Sequence, residues 1–158
     1  DVHSISLTGG EPLLSVEFLK EFLPLVNKKI YLETNATLAD KFLEIKPYVG
    51  IVSADIKLES ATGIRDAYKF HDKFFEACNG VETFAKIVFN KNISDEELKK
   101  CCELGKKYNI ELILQPEMIE GNKMSVASEF SAEVLDKFLQ HYENVRLIPQ
   151  VHKFLDVR

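Results

Sequence analysis

Short apolar segments alternate with amphipathic helical segments along almost the whole chain, and this alternation restricts the fold to βαβ units that build a parallel sheet. Strand patterns cover Ser4 to Thr8, Ile30 to Glu33, Val49 to Ile56, Phe84 to Phe89, Ile110 to Leu114 and Val145 to Ile148. Between them, helical spacing groups Phe18, Leu19, Phe22, Leu23 and Val26, with Pro24 near the helix end. Thr37 and Asp40 predict a capping-box start for a helix carrying Phe42 and Ile45. Ala67, Phe70, His71, Phe74, Phe75 and Cys78 trace another helical stripe. Ser94 and Glu97 form a second capping box, ahead of Leu98, Cys101, Cys102 and Gly105. A loop from Glu120 to Ser128 precedes a last helix with Val134, Leu135, Phe138, Leu139 and Tyr142. With 158 residues and no linker or low-complexity tract, the expectation is one α/β domain.

Polar residues gather at the C-terminal ends of the strands, where parallel α/β folds place their chemistry. The first strand runs into Gly9-Gly10-Glu11-Pro12, and the second ends in Glu33-Thr34-Asn35. The third delivers Asp55-Ile56-Lys57, the Ile110 strand Gln115-Pro116, and the last strand Gln150-Val151-His152-Lys153. Two glycines let the backbone adopt conformations closed to other residues and let a ligand approach the main chain. Taken singly, the Gly-Gly turn equally suits plain structure, Glu33 a solvated acid, Asp55 and Lys57 an ion pair, and His152 a surface histidine. Their common place in the topology favours a binding mouth for a small polar cofactor.

A net charge of −5 argues against a nucleic-acid surface, and the longest apolar runs are too short to span a bilayer. Three cysteines, Cys78, Cys101 and Cys102, are too few for a disulfide framework and lack zinc or iron–sulfur spacing. They read as buried apolar thiols in a reducing compartment, and the expected location is cytoplasmic.

Leu7-Thr8-Gly9-Gly10-Glu11-Pro12-Leu13-Leu14 resembles the Gly-Gly-Glu-Pro motif of the radical S-adenosylmethionine (SAM) superfamily. Tyr31 to Asn35, Ala54 to Lys57, Leu114 to Pro116 and Leu147 to Leu155 resemble the 7-carboxy-7-deazaguanine synthase family within it. The Asp-Ile-Lys segment is also similar to that of glycyl-radical-enzyme activases. The resemblance implies an incomplete (β/α)6 partial barrel lacking its first βα unit. It implies that Gly9, Gly10 and Glu11 hold the methionine amino group of SAM and that Glu33 accepts from the ribose hydroxyls. Asn35 lies at the same cofactor-binding strand end. Lys57 would face the SAM carboxylate, with Asp55 orienting it or binding ribose. Gln115, Gln150 and His152 would line the adenosine and substrate side.

The superfamily's Cys-x3-Cys-x2-Cys loop for a [4Fe-4S] cluster is not in this sequence, nor is the magnesium-binding hydroxyl that follows it in the synthases. The chain opens on Asp1, already at a strand edge, so the expectation is a trimmed domain, inactive by itself. Ala36 stands where relatives often carry glycine. The intact protein is expected to cleave SAM reductively, and the 5′-deoxyadenosyl radical would abstract hydrogen from a pterin-like substrate, 6-carboxy-tetrahydropterin, on the way to ring contraction. The alternatives are an activase acting on a glycyl-radical enzyme, and a non-catalytic α/β domain binding a nucleotide or a partner. A homodimer is possible in either enzyme. The stretch from Glu59 to Phe70, with Arg65, Tyr68 and Lys69, suits a cover over an anionic substrate or a solvated entry to the next helix.

Overall fold

The computed structural model describes residues 2–119 and 123–151. Eight strands occur among them in chain order: β1 (Ser4–Leu7), β2 (Lys29–Thr34), β3 (Val49–Ile56), β4 (Glu82–Phe89), β5 (Glu111–Pro116), β6 (Met118–Ile119), β7 (Lys123–Met124) and β8 (Val145–Leu147). The helices are α1 (Val16–Phe22), α2 (Ala39–Ile45), α3 (Glu59–Thr62), α4 (Ala67–Ala77), α5 (Asp95–Tyr108) and α6 (Ser128–Leu139). Strands β1-β2-β3-β4-β5-β8 form one six-stranded sheet in that order, and every neighbouring pair is parallel.

A sheet whose spatial order equals its sequence order steps always in one direction. Right-handed crossovers then place all their helices on the same face. Accordingly α2 packs between α1 and α4, α4 against α5, and α5 against α6. The core lies between this helical layer and the sheet. Ile30 and Leu32 of β2, Val52 and Ala54 of β3, Ile87 and Phe89 of β4 and Leu112 and Leu114 of β5 supply the sheet side. Phe42 and Phe74 meet at 5.1 Å between ring centres in the helical layer. No helix of the described residues is long and apolar enough to cross a membrane.

Local chemistry explains where the helices depart from the sequence expectation. Helix α1 stops at Phe22 and continues as a 3-10 turn, Leu23–Leu25, because Pro24 cannot donate to a preceding carbonyl. The buried stripe is therefore Val16, Leu19 and Leu23, while Phe18 is exposed and stacks on Phe22 at 5.5 Å. Phe70 is likewise exposed, whereas His71, Phe74 and Phe75 of the same helix are buried. The Thr37–Asp40 capping box is not made. Asn35 Oδ1 instead accepts from Thr37 Oγ1 at 2.6 Å and from Thr37 N at 3.2 Å, so the threonine is drawn into a local turn. The Ser94–Glu97 box is present in full. After β5, β6 just before the expected Glu120–Ser128 loop pairs antiparallel with β7 inside it, and Ser125 N donates to the Glu117 carbonyl at 2.7 Å.

Candidate functional site

The sheet face turned away from the helices carries the other half of each strand's alternation. Register fixes the rows: Tyr31 pairs with Ile51 and Glu33 with Ser53, while across the next ladder Ser53 pairs with Phe84 and Asp55 with Lys86. Lys86 is opposite Ile113, and Val88 opposite Gln115. Toward the N-terminal ends this face is closed by the ion pairs Lys29–Glu82 (2.9 Å) and Arg146–Glu111, in which Arg146 Nη2 donates to Glu111 Oε2 at 2.6 Å. The stem of Lys29 lies across Gly50, where a Cβ would meet it at 2.5 Å. Tyr31 and Phe84 follow, 6.2 Å apart. Beyond these rings, charge returns toward the C-terminal ends.

There, one chain of polar contacts crosses four consecutive strands. Thr8 Oγ1 donates to Glu33 Oε2 at 3.1 Å. Lys86 Nζ lies 3.7 Å from Glu33 Oε2 and 3.3 Å from Asp55 Oδ1, and Lys57 Nζ donates to Asp55 Oδ2 at 3.2 Å. The side chains of Glu33, Asp55 and Lys57 are between 33% and 38% exposed, so each keeps a solvent-facing edge for a ligand. Lys86, only 20% exposed, is the residue sequence reading missed. Its signal was a lysine in the middle of an otherwise apolar buried strand, a position where parallel sheets rarely tolerate charge.

The Gly-Gly-Glu-Pro turn is held to the second strand by its acid. Glu11 Oε1 accepts from Leu13 N at 3.1 Å and Thr34 Oγ1 at 2.9 Å, and Oε2 accepts from Asn35 N at 2.7 Å. A carboxylate offers about four acceptor positions, so roughly one remains for an outside donor. Gly9 and Gly10 adopt φ of +89° and +59°, and a Cβ on either would meet nothing within 4 Å. The glycines are thus required by conformation, and the space beside them is open.

The Asn35–Ala36 turn beside it is held from below. Ala36 is fully buried at φ +55°, the left-handed conformation that explains why glycine suits the position. His71, 1% exposed, reaches up from α4. Its Nδ1 is 3.1 Å from the Ala36 carbonyl, and its Nε2 is 3.1 Å from the Lys57 amide. Burial pushes the His71 pKa below its ordinary value; the Ala36 carbonyl works against the shift and Lys57 adds to it.

Of the sequence-predicted residues, Asp55 and Lys57 are joined directly and Glu33 is joined to Asp55 through Lys86, while Glu11 and Asn35 form the adjoining wall with Gly9 and Gly10. Gln115 is half-buried on the same face. Gln150 follows β8 and leaves Oε1 buried with no hydrogen-bond partner among the described residues, as does Ser53 Oγ on the sheet face. His152 lies outside the described residues. The Glu59–Phe70 stretch folds as α3 and the start of α4, with Arg65 exposed and paired to Glu59 at 3.4 Å. Tyr68 and Lys69 line a cleft of about 300 Å³ behind Lys57, between α4 and α5.

The cysteines do not fit a metal cluster. Burial pushes the Cys78 thiol up to about 12 and the Cys102 thiol to about 11, and raises Cys101 as well, whereas a cluster needs thiolates. No group of three or more metal-ligating side chains occurs among the described residues.

No protein-family model matches the chain. In shape it is similar to archaeal TYW1, with a TM-score of 0.60 over 89% of this chain and 50% of that one, at 14% sequence identity, a likeness of fold. In sequence it is 35% identical over 159 residues to the 7-carboxy-7-deazaguanine synthase of Geobacter sulfurreducens, covering 98% of this chain and 64% of that protein. It is 32% identical over 164 residues to the enzyme of that name from Archaeoglobus fulgidus, covering 99% of this chain and 68% of the relative. The chain thus spans about two thirds of the length of these relatives. With the Gly-Gly-Glu-Pro turn, the Glu33 and Asp55–Lys57 strand ends and relatives that align along almost all of it, the chain belongs to the 7-carboxy-7-deazaguanine synthase family, enzymes of the radical SAM superfamily.

Proposed function

We propose that residues 1–158 are the SAM-binding core of a 7-carboxy-7-deazaguanine synthase, and that the sheet is the greater part of a (β/α)6 partial barrel with SAM seated across its C-terminal strand ends. The observation that carries this reading is the line Thr8–Glu33–Lys86–Asp55–Lys57, polar groups of both signs linked in one row across the C-terminal strand ends. SAM is a zwitterion with ribose hydroxyls and an adenine, and the groups present fit it. The orphaned Gln150 Oε1 and the open space beside Gly9 and Gly10 are the kinds of vacancy such a ligand fills.

When bound, SAM supplies the radical chemistry of the superfamily. The residues of this chain bind and orient it. Main-chain groups of Gly9 and Gly10 and the remaining acceptor position of Glu11 take the methionyl ammonium, a charge-assisted contact. Glu33 accepts from the ribose hydroxyls. Lys57 faces the carboxylate, and Asp55 holds the lysine in place at 3.2 Å. Lys86 offsets the negative charge of Glu33 and Asp55. Asn35, Gln115, Gln150 and His152 complete the adenosine and substrate side. The substrate is a small pterin-like molecule. A [4Fe-4S] cluster is not held by Cys78, Cys101 or Cys102, whose protonated, buried thiols face the core.

The test is calorimetric titration of SAM into the protein and its Lys57→Ala and Glu33→Ala variants. Each substitution removes a partner of a charged or hydroxylated group and should raise the dissociation constant about tenfold. Unchanged affinity in both variants would place the pocket elsewhere.

A further inference from the structure

We propose that His71 is a positioning residue, a strap that ties the Asn35–Ala36 turn to the Lys57 strand end and sets the spacing between the two loops that present Glu33 and Lys57 to one ligand. The proposal rests on the reading of this face as the SAM pocket. It begins where the sheet's own hydrogen bonding stops. The β2–β3 ladder ends at Thr34 paired with Ala54, so Asn35, Ala36 and Asp55 to Lys57 all lie beyond the last pair the two strands share. His71 makes its two hydrogen bonds in that gap, one to each side, at 3.1 Å.

The partners dictate the state of the ring. A carbonyl can only accept and a backbone N–H can only donate, so Nδ1 carries the proton and donates to Ala36 while Nε2 accepts from Lys57. A neutral imidazole has one donor and one acceptor on a rigid frame, which fixes both the distance and the direction of the span. The ring's own base is rigid as well, because Phe74 and Phe75 on the same face of α4 are fully buried against Phe42 and Tyr108. The turn it holds needs holding. Ala36 is in a left-handed conformation unfavourable to any residue with a Cβ, and it would relax toward a commoner one if released.

A histidine that merely fills the core would matter to stability and to nothing else. A strap would show itself at Lys57 and at the ligand. Three readouts separate the two. In the unmodified protein, nitrogen NMR of the imidazole should show Nδ1 protonated and Nε2 bare at neutral pH; the opposite tautomer overturns the proposal. In His71→Phe, the Lys57 amide should exchange with solvent at least about tenfold faster, the loss of one protecting hydrogen bond, while the Leu112 amide, which donates to the Asn144 carbonyl, is unchanged. SAM affinity should fall about tenfold in the same variant and recover in part in His71→Gln, whose longer side chain can still accept from Lys57. Adding Ala36→Gly should soften the effect of His71→Phe, because an unstrained turn has less reason to move.

A folded His71→Phe protein that binds SAM like the parent, with Lys57 exchange unaltered, overturns the proposal. If the parent itself does not bind SAM, the pocket reading fails, and the tautomer and the Lys57 amide still decide the strap. If His71→Phe does not fold, the same measurements on His71→Gln and the tautomer of the parent decide it.

Discussion

Lys86 stands directly opposite Asp55 across the β3–β4 ladder, with Nζ 3.3 Å from the carboxylate oxygen, and neither side chain is more than one-third exposed. The pair lies between a surface salt bridge, worth about 0–1 kcal/mol, and a buried one whose breakage costs about 3–5 kcal/mol. Lys86→Met should therefore destabilise the fold by about 1–2 kcal/mol, since it takes the lysine contact from Glu33 and leaves Asp55 with Lys57. In a double-mutant cycle with Asp55→Asn, denaturant unfolding should return a coupling of about 1 kcal/mol. Additive losses would mean the two charges are solvated independently.

The strained turn gives a prediction of opposite sign. Ala36 at φ +55° has a conformation that glycine reaches freely. The left-handed state costs an alanine about 1–2 kcal/mol, partly offset by the extra chain entropy a glycine loses on folding. Ala36→Gly should raise stability by about 0.5–1 kcal/mol, read from the urea midpoint at constant slope.

His71 makes stability depend on pH in one direction. Burial is the main force holding its folded-state pKa below the ordinary 6.5; Lys57 adds to the shift, while the Ala36 carbonyl and Asp55 oppose it. Other charges lining the neighbouring cleft are Glu59, Asp66, Lys69, Glu97 and Lys100. Because the unfolded chain takes up this proton more readily, the contribution is complete above the unfolded value and is lost as pH falls from about 6.5 through the folded value. Unfolding free energies of the parent should therefore drop more steeply between pH 7 and pH 5 than those of His71→Gln. Parallel curves would show that His71 titrates alike in the folded and unfolded chains.

Much of this arrangement was legible in the sequence because period-2 and period-3.6 patterns report which side of an element faces the core. The alternation in β2 is of this kind, with Ile30 and Leu32 buried and Tyr31 and Glu33 on the opposite face. The Ser94–Glu97 box was readable for a similar reason, since its two partners are three residues apart. What escaped were relationships between distant segments. Lys86 could be seen to interrupt an apolar strand, but its meaning depends on a register that places Asp55 beside it. His71 fitted a core stripe equally well, and only the fold brings Ala36, 35 residues away, onto its ring. Thr37 went astray because a competing acceptor, Asn35, sat closer than the helix it was expected to cap.

Gly105 tests close packing on the helical side. A Cβ there would meet the Tyr142 ring at 2.6 and 2.9 Å. The ring cannot simply swing aside, because its hydroxyl donates to the Ile110 carbonyl at 2.9 Å. Alanine improves helix propensity by up to about 1 kcal/mol, while overpacking a dense site costs about 1–3 kcal/mol. Gly105→Ala should be destabilising by about 1 kcal/mol in net, with the loss recovered when Tyr142→Phe frees the ring. A stabilised Gly105→Ala protein would show that the tyrosine yields.

Glu97 does two jobs, and its removal should cost more than removal of the cap it completes. Its Oε2 accepts from Ser94 N at 2.9 Å, its own amide donates back to Ser94 Oγ at 3.2 Å, and its Oε1 accepts from Ser60 N at 2.9 Å. Ser94→Ala removes the cap and should cost about 1 kcal/mol. Glu97→Ala also strands the Ser60 amide at the start of α3, behind Lys57, and should cost about 2 kcal/mol. Burial raises the Glu97 pKa, but the hydrogen bonds from Ser60 and Ser94 outweigh it and hold the carboxyl below its ordinary 4.5. The contribution is therefore present above about pH 4.5 and lost as pH falls through the folded value. Unfolding at pH 7 should rank the parent above Ser94→Ala and Ser94→Ala above Glu97→Ala, and the gap between the parent and Glu97→Ala should narrow at pH 3. Equal losses for the two substitutions at pH 7 would mean that the Ser60 contact adds nothing, and that α3 is held in place by Leu58 packing into the core.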